Sequence, residues 1–168
     1  MGGEVGSNGA PEPSLEILPT PAGGPTWKFL DYLNRTDPYN LYPFLIVLPS
    51  GRLFVGTFNP LPAFSVDSHS RACAGYYNEA RILDPVSLDT VVTLPNMPGS
   101  VESLLPGRTY PMEGTAVALP QHAPYTDPLT ILVCGGASPT GDALDNCVSI
   151  QPEVANPTWV LERMVRGI

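Results

Sequence analysis

Two stretches of the sequence share one plan, in which an apolar strand, a Leu-Pro break and a turn or loop lead to a second strand that ends in glycine. The first is residues 42–56, YPFLIVLPSGRLFVG, and the second is residues 115–136, TAVALPQHAPYTDPLTILVCGG. Apolar and β-branched runs favour strands, and the Pro-Ser-Gly at 49–51 supplies turn residues. Each stretch therefore predicts a β-hairpin, and the rest of the chain is expected to add outer strands and connections to these two hairpins.

The frequency of proline and glycine argues against long helices. The 168 residues include 21 prolines and 16 glycines. No window of about 12–15 residues keeps a helical period without one of them. Hydrophobic residues make up 43% of the chain, which is enough for a core. The fold class is therefore predicted to be all-β, with many short strands joined by turns.

The strand pattern divides the chain into three parts. Residues 1–37 are predicted to be the tail of a preceding unit, with a short strand followed by a second strand or a turn of helix. Residues 38–98 give four strands, with an atypical insertion at 59–78. Residues 99–168 give four more strands in a second unit that is truncated at its C-terminus.

The two Leu-Pro breaks give a repeat length. The step from Leu48 to Leu119 is 71 residues, or 51 when the 20 residues of the insertion are set aside. That is close to the kelch repeat, which has roughly 50 residues and four strands per blade. One four-stranded sheet cannot bury both of its faces alone, whereas stacked blades cover one another. We therefore predict a partial kelch-type β-propeller, with two four-stranded antiparallel blades plus the tail of a preceding blade.

Net charge and hydropathy exclude several classes of partner. The chain has 8 basic and 16 acidic side chains, for a net charge of −8. Such a balance disfavours nucleic acid and anionic membranes as partners. No apolar run reaches the roughly 18–20 residues of a membrane span. Residues 1–9, MGGEVGSNG, lack the basic start and the apolar core of a signal peptide.

Other residues suggest chemistry but lack the spacing that it requires. The early glycines match neither of the common phosphate-loop patterns. The three cysteines form no C-x-x-C, and His69 and His122 are not spaced as ligands beside them, so no zinc site is expected. The interval 59–78 combines His69 and Cys73 with two tyrosines, which suggests a redox site. We interpret it as an inserted surface loop, because long irregular connections tolerate insertions.

Six blocks of sequence, taken in order, resemble the glyoxal-oxidase-like branch of the fungal and plant copper radical oxidases, whose better-known relative is galactose oxidase. The blocks are NLYPFLIVLPSGRLFVGTFN, ARILDP, RTYPMEGTAVALP, LTILVCGGAS, ALDNCVSIQPE and PTWVLERM. The likeness runs from Met1 to about Met164, leaves 59–78 unmatched, and corresponds to central propeller blades only.

The resemblance implies copper chemistry in the family's full-length enzymes. Two tyrosines and two histidines surround one copper, and one tyrosine is joined to a cysteine by a thioether bond. The enzymes oxidise aldehydes or primary alcohols and convert O2 to hydrogen peroxide. None of these ligand motifs occurs in this sequence, so we assign no catalytic, cofactor-binding or metal residue. Tyr110, which follows Arg108 in an R-x-Y triplet, is interpreted as a structural tyrosine between blades, and His122 as a loop residue without ligand partners.

Two cysteines are candidates for a disulfide. Cys134 ends one predicted strand and Cys147 begins the next, so that the two face each other at the mouth of a hairpin, near enough for a bond. Two buried thiols are the alternative. Because the resembled family is secreted, we favour the disulfide.

The resemblance also sets expectations for localisation and partners. It implies a secreted protein, and the Asn-Arg-Thr triplet at Asn34 is a glycosylation candidate. The expected partners are the remaining blades of a parent protein and, at family level, a small aldehyde or alcohol. The unmatched interval 59–78 and the departure after Met164 favour a fragment from a truncated gene model, which alone binds no copper and has no oxidase activity. The alternatives are a short paralogue that has lost catalysis and a non-enzymatic kelch interaction module.

Overall fold

The computed structural model describes residue 1 and residues 12–20, 22–34, 41–59, 77–98, 107–110, 112–138 and 140–164. Within these ranges the backbone forms ten strands and one short helix. The strands are β1 (Ser14–Glu16), β2 (Trp27–Phe29), β3 (Phe44–Val47), β4 (Leu53–Asn59), β5 (Tyr77–Leu83), β6 (Thr90–Thr93), β7 (Thr115–Ala118), β8 (Ile131–Cys134), β9 (Asn146–Ile150) and β10 (Val160–Arg163), and the helix α1 is Asp31–Asn34. No helix in the described ranges has the length and apolar character needed to cross a membrane.

The first sheet contains β3, β4, β5 and β6 side by side in sequence order, all antiparallel. The predicted hairpin forms its first two strands, with Phe44 opposite Gly56. A tight turn joins them, in which the Gly51 N–H donates to the Leu48 carbonyl at 2.8 Å. Gly51 has a φ of +81°, a left-handed conformation that glycine adopts without a steric penalty.

The predicted insertion begins and ends inside this sheet. β4 and β5 pair as far as Asn59 opposite Tyr77, so the first and last residues of the interval 59–78 belong to strands. Residues 60–76 lie outside the described ranges. The interpretation of this interval as a surface loop therefore stays a prediction.

The second sheet repeats the order of the first, with β7, β8, β9 and β10 side by side and antiparallel. The second predicted hairpin supplies β7 and β8. The connection between them is closed at its base by a hydrogen bond from the Leu119 N–H to the Thr130 carbonyl at 2.8 Å. The Leu-Pro break thus lies at the end of the first strand in both hairpins.

The N-terminal part forms a strand pair followed by one turn of helix. The sequence left residues 27–33 open between a strand and a helical turn, and the structure contains both. β2 pairs with β1, after which the N–H groups of Leu33 and Asn34 both donate to the Leu30 carbonyl, at 3.0 and 3.1 Å. β2 therefore ends where hydrogen bonds to the Leu30 carbonyl replace the pairing with β1.

The first sheet has a buried apolar cluster on each face, although Leu45 and Val47 of β3 remain exposed. The cluster between the two sheets contains Phe54, Phe58, Ala80 and Ile82 from the first sheet, and Ile131, Val133, Val148 and Ile150 from the second. On the other face, a second cluster joins Leu53, Val55 and Leu83 to Leu15, Leu30 and Leu33 of the N-terminal part. Because successive residues of a strand point to opposite faces, the apolar run of β4 supplies both clusters.

The two sheets are stacked so that their first strands, β3 and β7, are in contact. The Trp159 ring also packs edge to face against Phe58, with 5.7 Å between the ring centroids. Its Nε1–H donates to the Pro95 carbonyl at 2.8 Å. The predicted all-β class, with two four-stranded antiparallel sheets and a preceding strand pair, is confirmed. The stacking is consistent with part of a β-propeller, while the exact boundaries at residues 37 and 98 stay predictions.

Candidate functional site

The segment before β7 is fastened to the end of β4. The N–H groups of Arg108 and Thr109 donate to the Phe58 carbonyl, the second at 3.1 Å. In return the Phe58 N–H donates to Thr109 Oγ1 at 3.2 Å. These bonds position Arg108 at the point where the chain passes from the first sheet to the second.

The side chain of Arg108 is fully buried and bonds to neutral acceptors. Its Nη1 donates to the carbonyls of Gly135 at 2.7 Å and Asn146 at 3.2 Å, and its Nη2 donates to Asn146 Oδ1 at 3.1 Å. Burial lowers the pKa of Arg108 from its ordinary value to about 10. The guanidinium is therefore still protonated at neutral pH, and its bonds join the end of β8 to the start of β9.

Two consecutive glycines at the end of β8 make room for this segment. Gly135 and Gly136 have φ values of +67° and +96°, which residues with a Cβ rarely adopt. A Cβ on Gly136 would overlap the carbonyl oxygen of Gly107, whereas a Cβ on Gly135 would meet nothing within 4 Å. We call Gly107, Arg108, Gly135, Gly136 and Asn146 the Arg108 junction.

Two exposed tyrosines lie beside each other, each in the segment before the first strand of a sheet. Tyr42 precedes β3 and Tyr110 precedes β7, and their ring centroids are 5.3 Å apart in an edge-to-face arrangement. Their exposed fractions are 57% and 48%. Tyr110, the residue that the R-x-Y triplet singled out, is thus packed against another tyrosine in the connection between the sheets.

The cysteines of the second sheet are joined. Cys134 and Cys147 are directly opposite each other in β8 and β9, with their Cα atoms 4.1 Å apart and a disulfide between them. Cys147 is buried and Cys134 is half-buried. The bond ties the two central strands of the sheet next to the Arg108 junction.

Replacing both Cys134 and Cys147 with serine is expected to lower the free energy of unfolding by about 3 kcal/mol, because the bond closes a short loop and restricts the unfolded chain. Urea unfolding of the double variant and of the oxidised wild type measures the difference. Wild-type protein under reductant should unfold like the variant. Identical unfolding midpoints in all three samples would contradict the expected stabilisation by this bond.

The histidine of the described chain stands apart from these features. His122 is exposed in the connection between β7 and β8, beside a groove of about 370 Å³ that Gln121, Asp127 and Gln151 also line. Within the described ranges, no group of three or more His, Cys, Asp or Glu residues is placed to hold a metal ion. His69 and Cys73 fall outside those ranges. The described residues therefore do not fit the two-tyrosine, two-histidine set that the resemblance implies for copper.

A second cavity, of about 280 Å³, lies between the N-terminal part and the first sheet. Lys28 forms an ion pair with Asp89, and Arg81 pairs with Glu79 at 2.8 Å. The Arg81 guanidinium carbon also lies 5.0 Å from the centroid of the Tyr32 ring, and burial raises the pKa of the Tyr32 phenol. Because both cations already face carboxylates, these contacts are best explained as part of the packing between β2, α1 and the first sheet.

The glycosylation candidate, Asn34, is exposed at the last residue of α1. The other two residues of its triplet, at 35 and 36, lie outside the described ranges. Glycosylation at Asn34 therefore stays a prediction.

Sequence reasoning missed the importance of Arg108 and of Tyr42. Arg108 lies seven residues before β7, and its sequence position alone does not distinguish it from a solvated arginine in a connection. A Tyr-Pro dipeptide precedes the first strand of each hairpin, at Tyr42 and at Tyr110, but this repeat does not by itself indicate that the two rings meet.

Comparison with curated proteins finds three relatives. A WSC domain-containing protein of Arthroderma benhamiae is 58% identical over 165 residues, which is 98% of this chain and 16% of that protein. The putative aldehyde oxidase Art an 7 of Artemisia annua is 28% identical over 144 residues, 74% of this chain and 20% of that protein. The aldehyde oxidase GLOX of Vitis pseudoreticulata is 27% identical over 163 residues, 92% of this chain and 26% of that protein. No family model and no solved structure matches the chain.

The chain thus spans between about one sixth and one quarter of the length of these relatives. The WSC domain named in the Arthroderma protein was not anticipated from the sequence. The two plant proteins agree with the resemblance of the six sequence blocks, and both alignments cover most of this chain. The chain is thus similar, at 27–28% identity, to two plant proteins named as aldehyde oxidases.

Proposed function

We propose that this chain forms two adjacent kelch-type blades of a β-propeller in a protein of the glyoxal oxidase type. The observation that carries the proposal is the stacking of two sheets with the same strand order, in which the first strands, β3 and β7, are in contact. The distant similarity to two plant proteins named as aldehyde oxidases supports it.

The reaction proposed for the whole protein is the oxidation of a small aldehyde or primary alcohol by O2. A hydrated aldehyde loses two electrons and two protons to become an acid, or an alcohol loses them to become an aldehyde, and O2 takes them up to form hydrogen peroxide. Copper, when bound, supplies one-electron chemistry for such a reaction. Because the described residues do not fit the copper ligand set, we propose that the ligands belong to other parts of the parent protein.

The contribution of this chain is structural. The Arg108 junction holds the segment before β7 against the ends of β4, β8 and β9, which sets the position of the second sheet relative to the first. The two terminal nitrogens of the buried Arg108 guanidinium are both bonded, whereas Arg108 Nε and Asn146 Nδ2 have no hydrogen-bond partner. Displacing the bonded nitrogens would leave further buried donors and acceptors without partners, so these bonds resist movement of the connection.

The outer face of the second sheet is the expected contact with a further blade. The strand register places Val117, Leu132 and Val160 on that face, together with the disulfide. Val117 is 49% exposed and Val160 is 52% exposed. We propose that the remaining blades cover this face. We also propose that the parent protein is secreted, as the disulfide and the triplet at Asn34 favour.

Assays of the purified 168-residue chain test whether the copper ligands lie outside it. We expect no stoichiometric copper after metal loading, and no hydrogen peroxide when small aldehydes or primary alcohols are added under air. Copper bound at one equivalent, with a radical absorption band and peroxide release, would show that the chain contains its own active site and would overturn the proposal.

A non-enzymatic kelch interaction module is the second candidate. The observation that favours it is the Arthroderma relative, which is 58% identical and whose name mentions no oxidase. The candidates are separated by assaying that relative for copper and for peroxide release from small aldehydes. A relative that has both supports the oxidase, and a relative that has neither supports the interaction module.

A further inference from the structure

The tyrosine pair, Tyr42 and Tyr110, has a geometry suited to covalent chemistry. The ring centroids are 5.3 Å apart and the ring planes are inclined by 79°, so the edge of one ring points at the other. Both rings are about half exposed, and a small oxidant in solvent therefore reaches both. Two accessible phenols at contact distance are the arrangement that intramolecular coupling of phenoxyl radicals requires.

The fold holds both tyrosines in place. Tyr42 has a φ of +51°, in the left-handed region, where a residue with a side chain costs of order 1–3 kcal/mol and persists only when its surroundings determine it. Tyr110 directly follows Thr109, which is bonded to Phe58 at the end of β4. The proximity of the two rings is therefore a property of the backbone on both sides.

We propose that Tyr42 and Tyr110 form an oxidative cross-linking site, at which a haem peroxidase with hydrogen peroxide joins the two rings as dityrosine. Each phenol loses one electron and one proton to give a phenoxyl radical. The two radicals combine through a bond between their Cε carbons, and the hydrogens displaced from those carbons return to the phenol oxygens. The product has lost two hydrogen atoms, and the peroxide that accepts two electrons and two protons becomes two molecules of water.

Two other described tyrosines lack one of the required properties. Tyr32 is 7% exposed, so oxidants do not reach its phenol. Tyr125 is 69% exposed, but no ring contact among the described residues involves it. Selective coupling at Tyr42 and Tyr110 would link the segments before β3 and β7. It would thus connect the two sheets covalently at their first strands.

The natural source of the oxidant rests on the proposed function, because hydrogen peroxide is the co-product of the proposed oxidase. The coupling itself depends only on the ring geometry. An experiment that supplies peroxide from outside therefore tests the site separately from the oxidase assignment.

The purified chain, at low concentration, is treated with a haem peroxidase and hydrogen peroxide, then digested with trypsin and analysed by mass spectrometry. We expect a monomeric product with dityrosine fluorescence that lacks two hydrogens, and a link between the tryptic peptides 36–52 and 109–163. Wild-type protein that forms only linked dimers, or no cross-link, would overturn the inference.

Three conservative variants assign the link to its residues. Y42F and Y110F keep the rings but remove the phenol hydroxyl, so no phenoxyl radical forms there, and each is expected to lose the intramolecular product. Y125F is the matched control, since Tyr125 lies in the same tryptic peptide as Tyr110, and it is expected to keep the product. Circular dichroism spectra equal to wild type establish that each variant is folded. Retention of the product in Y42F or Y110F, or its loss in Y125F, would place the link elsewhere.

Discussion

Replacing Gly136 with alanine is expected to lower the free energy of unfolding by about 3–5 kcal/mol. Gly136 has a φ of +96°, and a Cβ there would overlap the Gly107 carbonyl oxygen and lie 3.1 Å from the Arg108 Cα. Those atoms are backbone, and they are held by reciprocal hydrogen bonds between Gly107 and Ala137 at 2.9 and 3.0 Å. The variant must therefore separate the end of β8 from the segment before β7. Urea unfolding followed by circular dichroism measures the loss.

The neighbouring glycine is the matched control. Gly135 also has a positive φ, +67°, but a Cβ there would meet nothing within 4 Å. Gly135→Ala is therefore expected to cost only the left-handed conformation, about 1–2 kcal/mol. Equal losses from the two variants would contradict the close backbone approach at Gly136.

Replacing Arg108 with methionine is expected to lower the free energy of unfolding by about 2–4 kcal/mol. The change leaves the Gly135 carbonyl and Asn146 Oδ1 without the donor that they have in the native protein, while the Asn146 carbonyl keeps the Gly135 N–H at 3.2 Å. Removing a buried cation offsets part of the loss, because the folded state lowers the pKa of Arg108 to about 10 and so disfavours its charge. Below pH 10 this offset does not change with pH. Between about pH 10 and the higher pKa of arginine in the unfolded chain, the unfolded state binds the extra proton, so the contribution of Arg108 to stability rises with pH.

Two further variants separate the hydrogen bonds from the charge. Arg108→Lys keeps the positive charge but has one donor nitrogen in place of the forked guanidinium. It is therefore expected to recover only part of the lost stability. Arg52→Met changes an exposed arginine to the same residue and is expected to alter stability by less than about 0.5 kcal/mol. A loss in Arg108→Met no larger than the loss in Arg52→Met would contradict the structural role of the buried guanidinium.

Local sequence patterns were sufficient to predict the two hairpins. The run PFLIVL, followed by Pro-Ser-Gly, contains β3 and its turn, and the run LTILVCGG contains β8 with its two terminal glycines. The facing positions of Cys134 and Cys147 followed from the same reasoning, because strand ends and loop length set the register of a hairpin.

The Arg108 junction and the tyrosine pair could not be predicted in this way. Arginine in a connection is usually solvated, and the burial of Arg108 depends on the second sheet closing over it against the end of β4. Tyr42 and Tyr110 are far apart in sequence, and they meet only because β3 and β7 are neighbours. Both features come from the packing of one sheet on the other, which single-sequence patterns do not encode.

The most direct test of the account is to read the transcript across this locus and to assay the protein that it encodes. The account predicts a message that continues into further blades with the cysteine, tyrosine, Tyr-His and final histidine motifs of the family. The purified product is expected to hold one copper and to release hydrogen peroxide from small aldehydes. A message that encodes these 168 residues alone, or a longer product that neither binds copper nor releases peroxide, would contradict it.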